Sequence, residues 1–196
     1  MYGFQLSVFD TLDAHLIYSN NFYMNNSDAT FAPLILTLKL DAESFAFFDA
    51  LRRKHFPAER NFLSAHVTLF HNLPGSRREQ IETDLNHLCR RFKAFPLRFS
   101  RWRFLGRGSA IEIESAELDS LRDELKNKWN DWLTAQDRQK FQPHITVQNK
   151  VAPEVARRLF EELSANWTAR NGAGVGTELW HYLNGPWRLA REFKFE

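Results

Sequence analysis

Two short segments of the chain each place a histidine two residues before a threonine, with apolar residues alternating. The first segment reads His66-Val-Thr-Leu69 and the second reads His144-Ile-Thr-Val147. In a β-strand, residues i and i+2 point to the same face, so each strand would present one imidazole beside one hydroxyl while its apolar residues enter the core. The chance of two such tetrapeptides in a chain of this composition is on the order of a few parts in a thousand. The pair therefore indicates a functional site rather than two core histidines beside strand threonines.

Two imidazoles and two hydroxyls that face one cleft are suited to nucleophilic attack at phosphorus. One histidine would remove a proton from the nucleophile, and the other would protonate the leaving oxygen. Thr68 and Thr146 would donate hydrogen bonds to the non-bridging oxygens, which carry the charge in the transition state. The sequence thus predicts His66 and His144 as catalytic residues and the two threonines as substrate-binding residues, with no metal and no cofactor.

The secondary-structure elements around the two motifs occur in the same order in two halves of the chain. Residues 34–92 contain a strand, a helix, the His66 strand and a second helix, and residues 110–164 repeat that order around His144. In each half, a similar number of residues separates the start of the first strand from the motif histidine. A pseudo-duplication of one β-α-β-α unit would place the two motif strands at symmetric positions.

Local signals indicate how several of these elements begin, bend and end. Polar residues with short side chains favour helix N-termini, a slip in apolar parity favours a β-bulge, and Asn-Gly favours a hairpin turn. The signals are an N-cap at Asp41, a capping box at Ser76–Glu79, a bulge between Phe99 and Trp102, a turn at Gly106–Gly108, a Pro153 near a helix start, and a closing hairpin that starts at Glu178 and turns at Asn184-Gly185.

The two motifs and their flanks resemble those of a known family. Ser64-Ala-His-Val-Thr-Leu-Phe70 and Gln142-Pro-His-Ile-Thr-Val-Gln-Asn-Lys150 resemble the two His-x-Thr-x motifs of the 2H phosphoesterase superfamily. The likeness is greatest to bacterial 2′-5′ RNA ligase-like and RNA 2′,3′-cyclic phosphodiesterase-like members, and it covers residues 31–196 in element order. It implies an α+β fold of two pseudo-duplicated lobes, with two antiparallel sheets flanking a central cleft and helices on the outside.

The resemblance also implies an activity. Members of this type are metal-independent phosphoesterases that act on 2′,3′-cyclic phosphate or 2′-5′ phosphodiester bonds of RNA or small nucleotides. The family's usual assignment implies His66 as the acid and His144 as the base, although the pseudo-symmetry leaves the opposite assignment open. Ligation and hydrolysis pass through the same in-line geometry at phosphorus, so the sequence does not distinguish between the two activities. The alternative function is a nucleotide- or RNA-binding module that uses the same cleft without turnover.

Composition excludes several classes of protein. Hydrophobic residues make up 43% and charged residues 26%, which excludes wholesale disorder. The 26 basic and 24 acidic residues are too evenly balanced for a histone-like nucleic-acid coat. The single cysteine, Cys89, excludes an intrachain disulfide. No apolar run has the length of a membrane span, and no secretory signal is visible. We therefore expect a cytoplasmic protein with no membrane partner. The resemblance adds an RNA or nucleotide substrate, and we expect the protein to be a monomer.

Residues 1–30 differ from the rest because asparagines cluster there without strand or helix periodicity. We interpret them as a loosely attached N-terminal extension, and residues 31–196 as a single domain of two pseudo-symmetric lobes.

The stretch from Arg90 to Arg107 has seven basic residues and no acidic one. It could form a basic rim for a nucleotide backbone, but we favour pairing of its arginines with Glu112 and Glu114 across a hairpin. His71 lies at the parity opposite to His66, so we expect it on the other face of its strand. Surface or core roles are likewise expected for the other histidines, which are His15, His55, His87 and His181.

Overall fold

The structure, a computed structural model, describes residues 32–196. These residues form seven β-strands and four α-helices. In chain order they are β1 (Leu34–Leu40), α1 (Ala42–His55), β2 (Val67–Leu73), α2 (Arg78–Cys89), β3 (Phe95–Phe104), β4 (Ser109–Glu114), α3 (Ala116–Lys128), β5 (His144–Gln148), α4 (Pro153–Ala165), β6 (Arg170–Tyr182) and β7 (Trp187–Lys194). The repeated β-α-β-α order is confirmed as β1-α1-β2-α2 and β4-α3-β5-α4. The predicted extension, residues 1–30, lies outside the described residues.

The strands pair antiparallel in the order β2-β1-β6-β3-β4-β5, and β7 also pairs with β6. The first part of β6 pairs with β3 and its later part pairs with β7 along the same edge. The α+β fold with antiparallel strands is therefore confirmed. The two expected sheets are in fact two halves of one continuous sheet, because β6 hydrogen-bonds to both β1 and β3.

The sheet is curled into a half-barrel, and the curl brings the two motif strands together. β2 and β5 are the two ends of the strand order, yet they contact each other. Strand twist accumulates in one direction across a sheet, so a seven-stranded sheet of this kind bends its ends toward one another. The two His-Thr motifs consequently meet although they lie in different halves.

Glycines in β6 allow close packing at the junction of the two halves. A Cβ on Gly172 would lie 2.1 Å from Ser44 Oγ, and one on Gly176 would lie 2.4 Å from the carbonyl oxygen of Phe193. The closing hairpin is confirmed, but its first strand begins at Arg170 rather than at Glu178. The sequence prediction missed this part because glycine is depleted in strands and here marks a close approach of neighbouring groups.

The local signals are mostly confirmed. Asp41 caps α1, since its Oδ1 accepts a hydrogen bond from the Ser44 backbone N–H at 2.9 Å. The β3–β4 register shifts between Phe99 and Trp102, as a bulge requires. The capping box at Ser76–Glu79 is wrong, because a short 3₁₀ turn precedes α2 and no side chain caps its first residue. Within residues 32–196, no helix has the length and apolar character needed to cross a membrane.

Candidate functional site

His66 and His144 occupy equivalent places at the start of the two motif strands. His66 directly precedes β2, and His144 is the first residue of β5. In each ring Nδ1 lies 2.8 Å from the backbone carbonyl oxygen two residues earlier, that of Ser64 or Gln142. A carbonyl oxygen only accepts, so Nδ1 carries the hydrogen in the neutral ring and Nε2 retains a lone pair. This tautomer leaves both Nε2 atoms available to a ligand.

The structure brings the four sequence-predicted site residues into one cleft. His66, Thr68, His144 and Thr146 all line a cavity of about 240 Å³ between the two halves of the sheet. Each threonine stands two residues after its histidine on the same strand face. The apolar residues of the motifs are fully buried, as the alternation predicts; they are Val67, Leu69, Ile145 and Val147.

Burial lowers the pKa of both motif histidines to about 4. For His66 the loss of hydration is the largest cause, and the nearby positive charge of Arg52 adds to it. For His144 the loss of hydration again dominates, with Arg103 lowering the pKa and Glu112 opposing it. Both rings of the free protein are therefore neutral at pH 7. Either can accept a proton, whereas the ring that donates must first be protonated, which an anion in the cleft favours.

The surroundings of the two rings differ. The His66 ring lies 4.8 Å from the Trp187 ring, centroid to centroid, at an angle of 54°. Arg103 lies on the His144 side, where its Nη1 donates to Gln142 Oε1 at 3.1 Å. The pseudo-symmetry therefore holds for the motif residues and their hydrogen bonds but not for the groups packed around them.

Three of the seven basic residues pair across the β3–β4 hairpin, as the favoured interpretation states. Arg98 bonds to Glu114 and Arg101 bonds to Glu112, each at 2.7 Å. Arg103 lies 3.8 Å from Glu112 and also lines the cleft. One arginine of this stretch is therefore available to a ligand in the cleft.

Two buried arginines cross between the halves and support the motif strands. Arg52 of α1 donates from Nη1 to the carbonyl oxygen of Thr146 at 2.8 Å. Arg122 of α3 donates from Nε to the carbonyl oxygen of Leu69 at 2.6 Å. Each helix thus sends an arginine to the motif strand of the other half. Sequence reasoning missed both, although an arginine four residues after a buried apolar residue, here Phe48 or Leu118, is an available signal.

The prediction for His71 is wrong, because this residue lines the same cleft as His66. The register between β1 and β2 shifts after the Thr37–Thr68 pair, as it does at a β-bulge. Leu69 and Phe70 are consequently both buried, and the following residue turns to the cleft side. The consecutive apolar pair Leu69-Phe70 was the signal that could have revealed this bulge.

The other histidines that the structure describes have the expected roles. His87 is exposed on α2, and His55 is half-buried near the end of α1. His181 is buried, with Nε2 at 3.2 Å from Arg78 Nη1. His15 lies outside the described residues.

Comparison with known proteins agrees with this geometry. A family model described as the 2′-5′ RNA ligase superfamily matches residues 40–186. No curated protein matches the chain. A solved structure of TT0787 from Thermus thermophilus has a TM-score of 0.61 at 16% identity, covering 83% of this chain and 97% of its own.

A second solved structure, Escherichia coli LigT in complex with 3′-AMP, has a TM-score of 0.54 at 18% identity. It covers 84% of this chain and 98% of its own. At these identities the two structures show a shared fold. The family match spans more than half of the chain and includes both motifs, so the chain belongs to the 2′-5′ RNA ligase superfamily and is a 2H phosphoesterase-like protein.

Proposed function

We propose that this protein is a metal-independent phosphoesterase that acts on 2′,3′-cyclic phosphate or 2′-5′ phosphodiester bonds of RNA or small nucleotides. The observation that carries the proposal is the matched geometry of His66 and His144. Each ring donates from Nδ1 to a backbone carbonyl, and each therefore offers Nε2 to the same cleft. Thr68 and Thr146 stand beside them as ligands for the phosphate oxygens.

Hydrolysis of a 2′,3′-cyclic phosphate would use these groups in one displacement. Water attacks phosphorus while the neutral imidazole of His144 takes its proton. The bond from phosphorus to one ribose oxygen breaks, and protonated His66 delivers its proton to that oxygen. Hydrogen bonds from the two threonine hydroxyls would stabilise the charge on the non-bridging oxygens, by about 3–4 kcal/mol for each well-placed donor. Ligation would be the same displacement with a ribose hydroxyl of a second molecule in place of water as the nucleophile.

The relatives support a nucleotide or phosphate ligand. E. coli LigT has been solved with 3′-AMP and with phosphate, at TM-scores of 0.54 in both cases. Two imidazoles and two hydroxyls in one cleft are suited to binding a ligand with a phosphate on the ribose.

A binding module without turnover is the second candidate, and one observation favours it. Both imidazoles have a pKa of about 4, so neither carries the proton that a leaving oxygen needs at neutral pH before a ligand enters. The proposed enzyme requires that the substrate phosphate raise the pKa of one ring on binding. Phosphate binding without product would support the module instead.

The test is a panel of 2′,3′-cyclic nucleotides and 2′-5′ dinucleotides incubated with the full chain, with products identified by phosphorus NMR. We expect a phosphomonoester product from at least one class, unchanged by EDTA. His66→Gln and His144→Gln test the site, and His87→Gln on the exposed face of α2 is the matched control. Tight binding of 2′-phosphorylated nucleotides with no product over hours would reject turnover, and loss of activity in EDTA would reject the metal-independent mechanism.

A further inference from the structure

The cleft extends past the motif histidines to a third imidazole, that of His71. Its Nδ1 lies 3.1 Å from Asp137 Oδ1, and its backbone N–H donates to the same oxygen at 2.8 Å. The Asn72 backbone N–H donates to Asp137 Oδ2 at 3.0 Å. Three bonds thus hold this carboxylate against the bulged end of β2. They turn the His71 ring so that Nδ1 faces Asp137 and Nε2 is left for the cleft.

Asp137 is buried but stays ionised. Burial alone would raise the pKa of this carboxyl group, yet the hydrogen bonds from His71 and Asn72 bring it below its usual value. Only 2% of Asp137 is exposed, while the His71 side chain is 46% exposed. His66 and His144 face neutral carbonyl groups, whereas His71 faces a carboxylate. Asp137 can therefore balance a positive charge on the His71 ring from the Nδ1 side, while Nε2 is left on the side of the cleft.

Arg122 adds a buried positive charge beneath this end of the cleft. It is 3% exposed and lies on the Phe70 ring, with its guanidinium carbon 3.6 Å from the ring centroid. Its Nε and Nη2 donate to the carbonyl oxygens of Leu69 and Asp137, but its buried Nη1 has no partner. Because Nη1 is shielded from solvent, Arg122 acts on the cleft through its charge rather than by direct contact.

The charges around the cleft exceed what one phosphate requires. Of the cleft-lining side chains that the structure describes, Asp137 is the one acidic group, and its charge is already engaged by His71. The cationic ones are Arg103, Arg122 and Lys140, whereas His66 and His144 are neutral at pH 7 before a ligand binds. Lys140 is exposed on the same cleft-lining segment as Asp137. Asp137 and Asp123 lie near the Arg122 guanidinium and partly balance its charge, so Lys140 is the cation at this end of the cleft that a ligand can contact directly.

We propose that His71 and Lys140, above the buried Arg122, form a second anion subsite that binds a further phosphate group of the same substrate. This proposal rests on the proposed function, in which the reacting phosphate lies between His66 and His144. The second phosphate is the one attached to the 5′ oxygen of the reacting nucleotide, which in an oligonucleotide is the neighbouring phosphodiester. The preferred substrate class is thus an RNA end or a nucleotide with a 5′-phosphate, in preference to a plain nucleoside cyclic phosphate.

The test compares adenosine 2′,3′-cyclic phosphate with and without a 5′-phosphate. For the wild-type protein we expect the 5′-phosphate to raise kcat/KM by about tenfold or more at low salt. The ratio of the two kcat/KM values should become smaller as the salt concentration increases. In His71→Gln, in Lys140→Gln and in the double variant we expect this ratio to approach one. Lys93→Gln, an exposed lysine on the connection before β3, is the matched control and should keep the natural ratio.

Two outcomes would overturn the proposal. One is a ratio near one in the natural chain. The other is an equal loss on both substrates in the variants, which would give His71 a structural role only. If the protein binds nucleotides without turnover, the effect of the 5′-phosphate is measured instead as a ratio of affinities. Calorimetry gives this ratio for adenosine 2′-phosphate with and without a 5′-phosphate. Absence of turnover would therefore contradict the proposed chemistry alone, whereas an affinity ratio near one would contradict the second subsite.

Discussion

His66 and His144 make the same hydrogen bond in the two halves of the fold, each from Nδ1 to the carbonyl oxygen two residues upstream at 2.8 Å. The bond is local to each motif, because its acceptor lies two residues before the histidine. It determines the tautomer and the ring orientation without help from the other half. The two rings are therefore chemically alike in the free protein, and any division into acid and base must come from what surrounds them.

Those surroundings give a testable division of roles. Trp187 packs on His66, while Arg103 and Glu112 are charged neighbours of His144. With His66 as acid, a substrate whose leaving group needs no protonation should restore turnover to His66→Ala but not to His144→Ala. Steady-state rates on such an activated phosphodiester measure this, and rescue of His144→Ala alone would reverse the assignment.

The stability of the protein should fall as pH decreases from about 6.5 to about 4. Burial holds the pKa of both motif histidines near 4 in the folded chain, whereas an unfolded histidine titrates near 6.5. Between these values the unfolded state binds more protons, so their contribution is complete above pH 6.5 and is lost as the pH falls. Urea unfolding at intervals from pH 7 to pH 4.5 measures the slope.

His55 and His181 also have lowered pKa values, chiefly through burial, and add to this slope with the same sign. The double variant His66→Gln/His144→Gln isolates the motif pair, and it should show a shallower slope than the natural chain. An identical slope in both proteins would show that the motif histidines are not desolvated in the folded state.

Arg52 should be important to both stability and activity because it joins the two motif regions. Its Nε donates to the Leu63 carbonyl oxygen at 2.9 Å just before the first motif, and its Nη1 donates to Thr146 in the second. Arg52→Gln leaves buried acceptors unpaired, so we expect a loss of about 2–4 kcal/mol in the free energy of unfolding, together with lower kcat.

Arg53→Gln is the matched control for Arg52. Arg53 is the next residue of α1, its side chain is 70% exposed, and it makes an i,i+4 ion pair with the buried Asp49. Such pairs contribute less than about 1 kcal/mol. Equal destabilisation by the two substitutions, measured by chemical unfolding, would contradict the bridging role of Arg52.

Gly108 allows β4 to approach the end of the second motif strand. A Cβ there would lie 1.9 Å from the Gln148 carbonyl oxygen and 2.6 Å from Asn149 Cα, both backbone atoms. We expect Gly108→Ala to cost about 1–3 kcal/mol and to reduce turnover by moving β5. Gly185→Ala, where a Cβ meets nothing within 4 Å, should leave the thermal midpoint nearly unchanged. Similar midpoints for the two variants would contradict this packing.

Most structural features that depend on the local sequence pattern were predicted correctly. Alternating apolar residues identified β1 and both motif strands, and the two-residue spacing placed each threonine beside its histidine. The cross-strand pairing of Arg98 and Arg101 followed from their place on one strand of a hairpin whose other strand carries two glutamates. These features depend on a few neighbouring residues, so a single chain is sufficient to predict them.

Features that depend on contacts between distant segments were missed. His71 reaches the cleft through a bulge whose position is set by the pairing of β2 with β1. The start of β6 at Arg170 depends on glycines that let Ser44 and Phe99 pack closely. A local pattern can indicate that Arg52 and Arg122 face the core, but it does not contain their contact with the motif strand of the other half.

The most direct test of the central claim is a kinetic cycle with His66→Ala, His144→Ala and the double variant on the substrate identified by phosphorus NMR. Each single variant should lose about 10²–10⁴-fold in kcat, the usual scale for one positioned acid or base. The double variant should lose far less than the product of the two, because the pair acts as one unit. Near-natural rates in both single variants would contradict the claim that these two imidazoles carry the reaction.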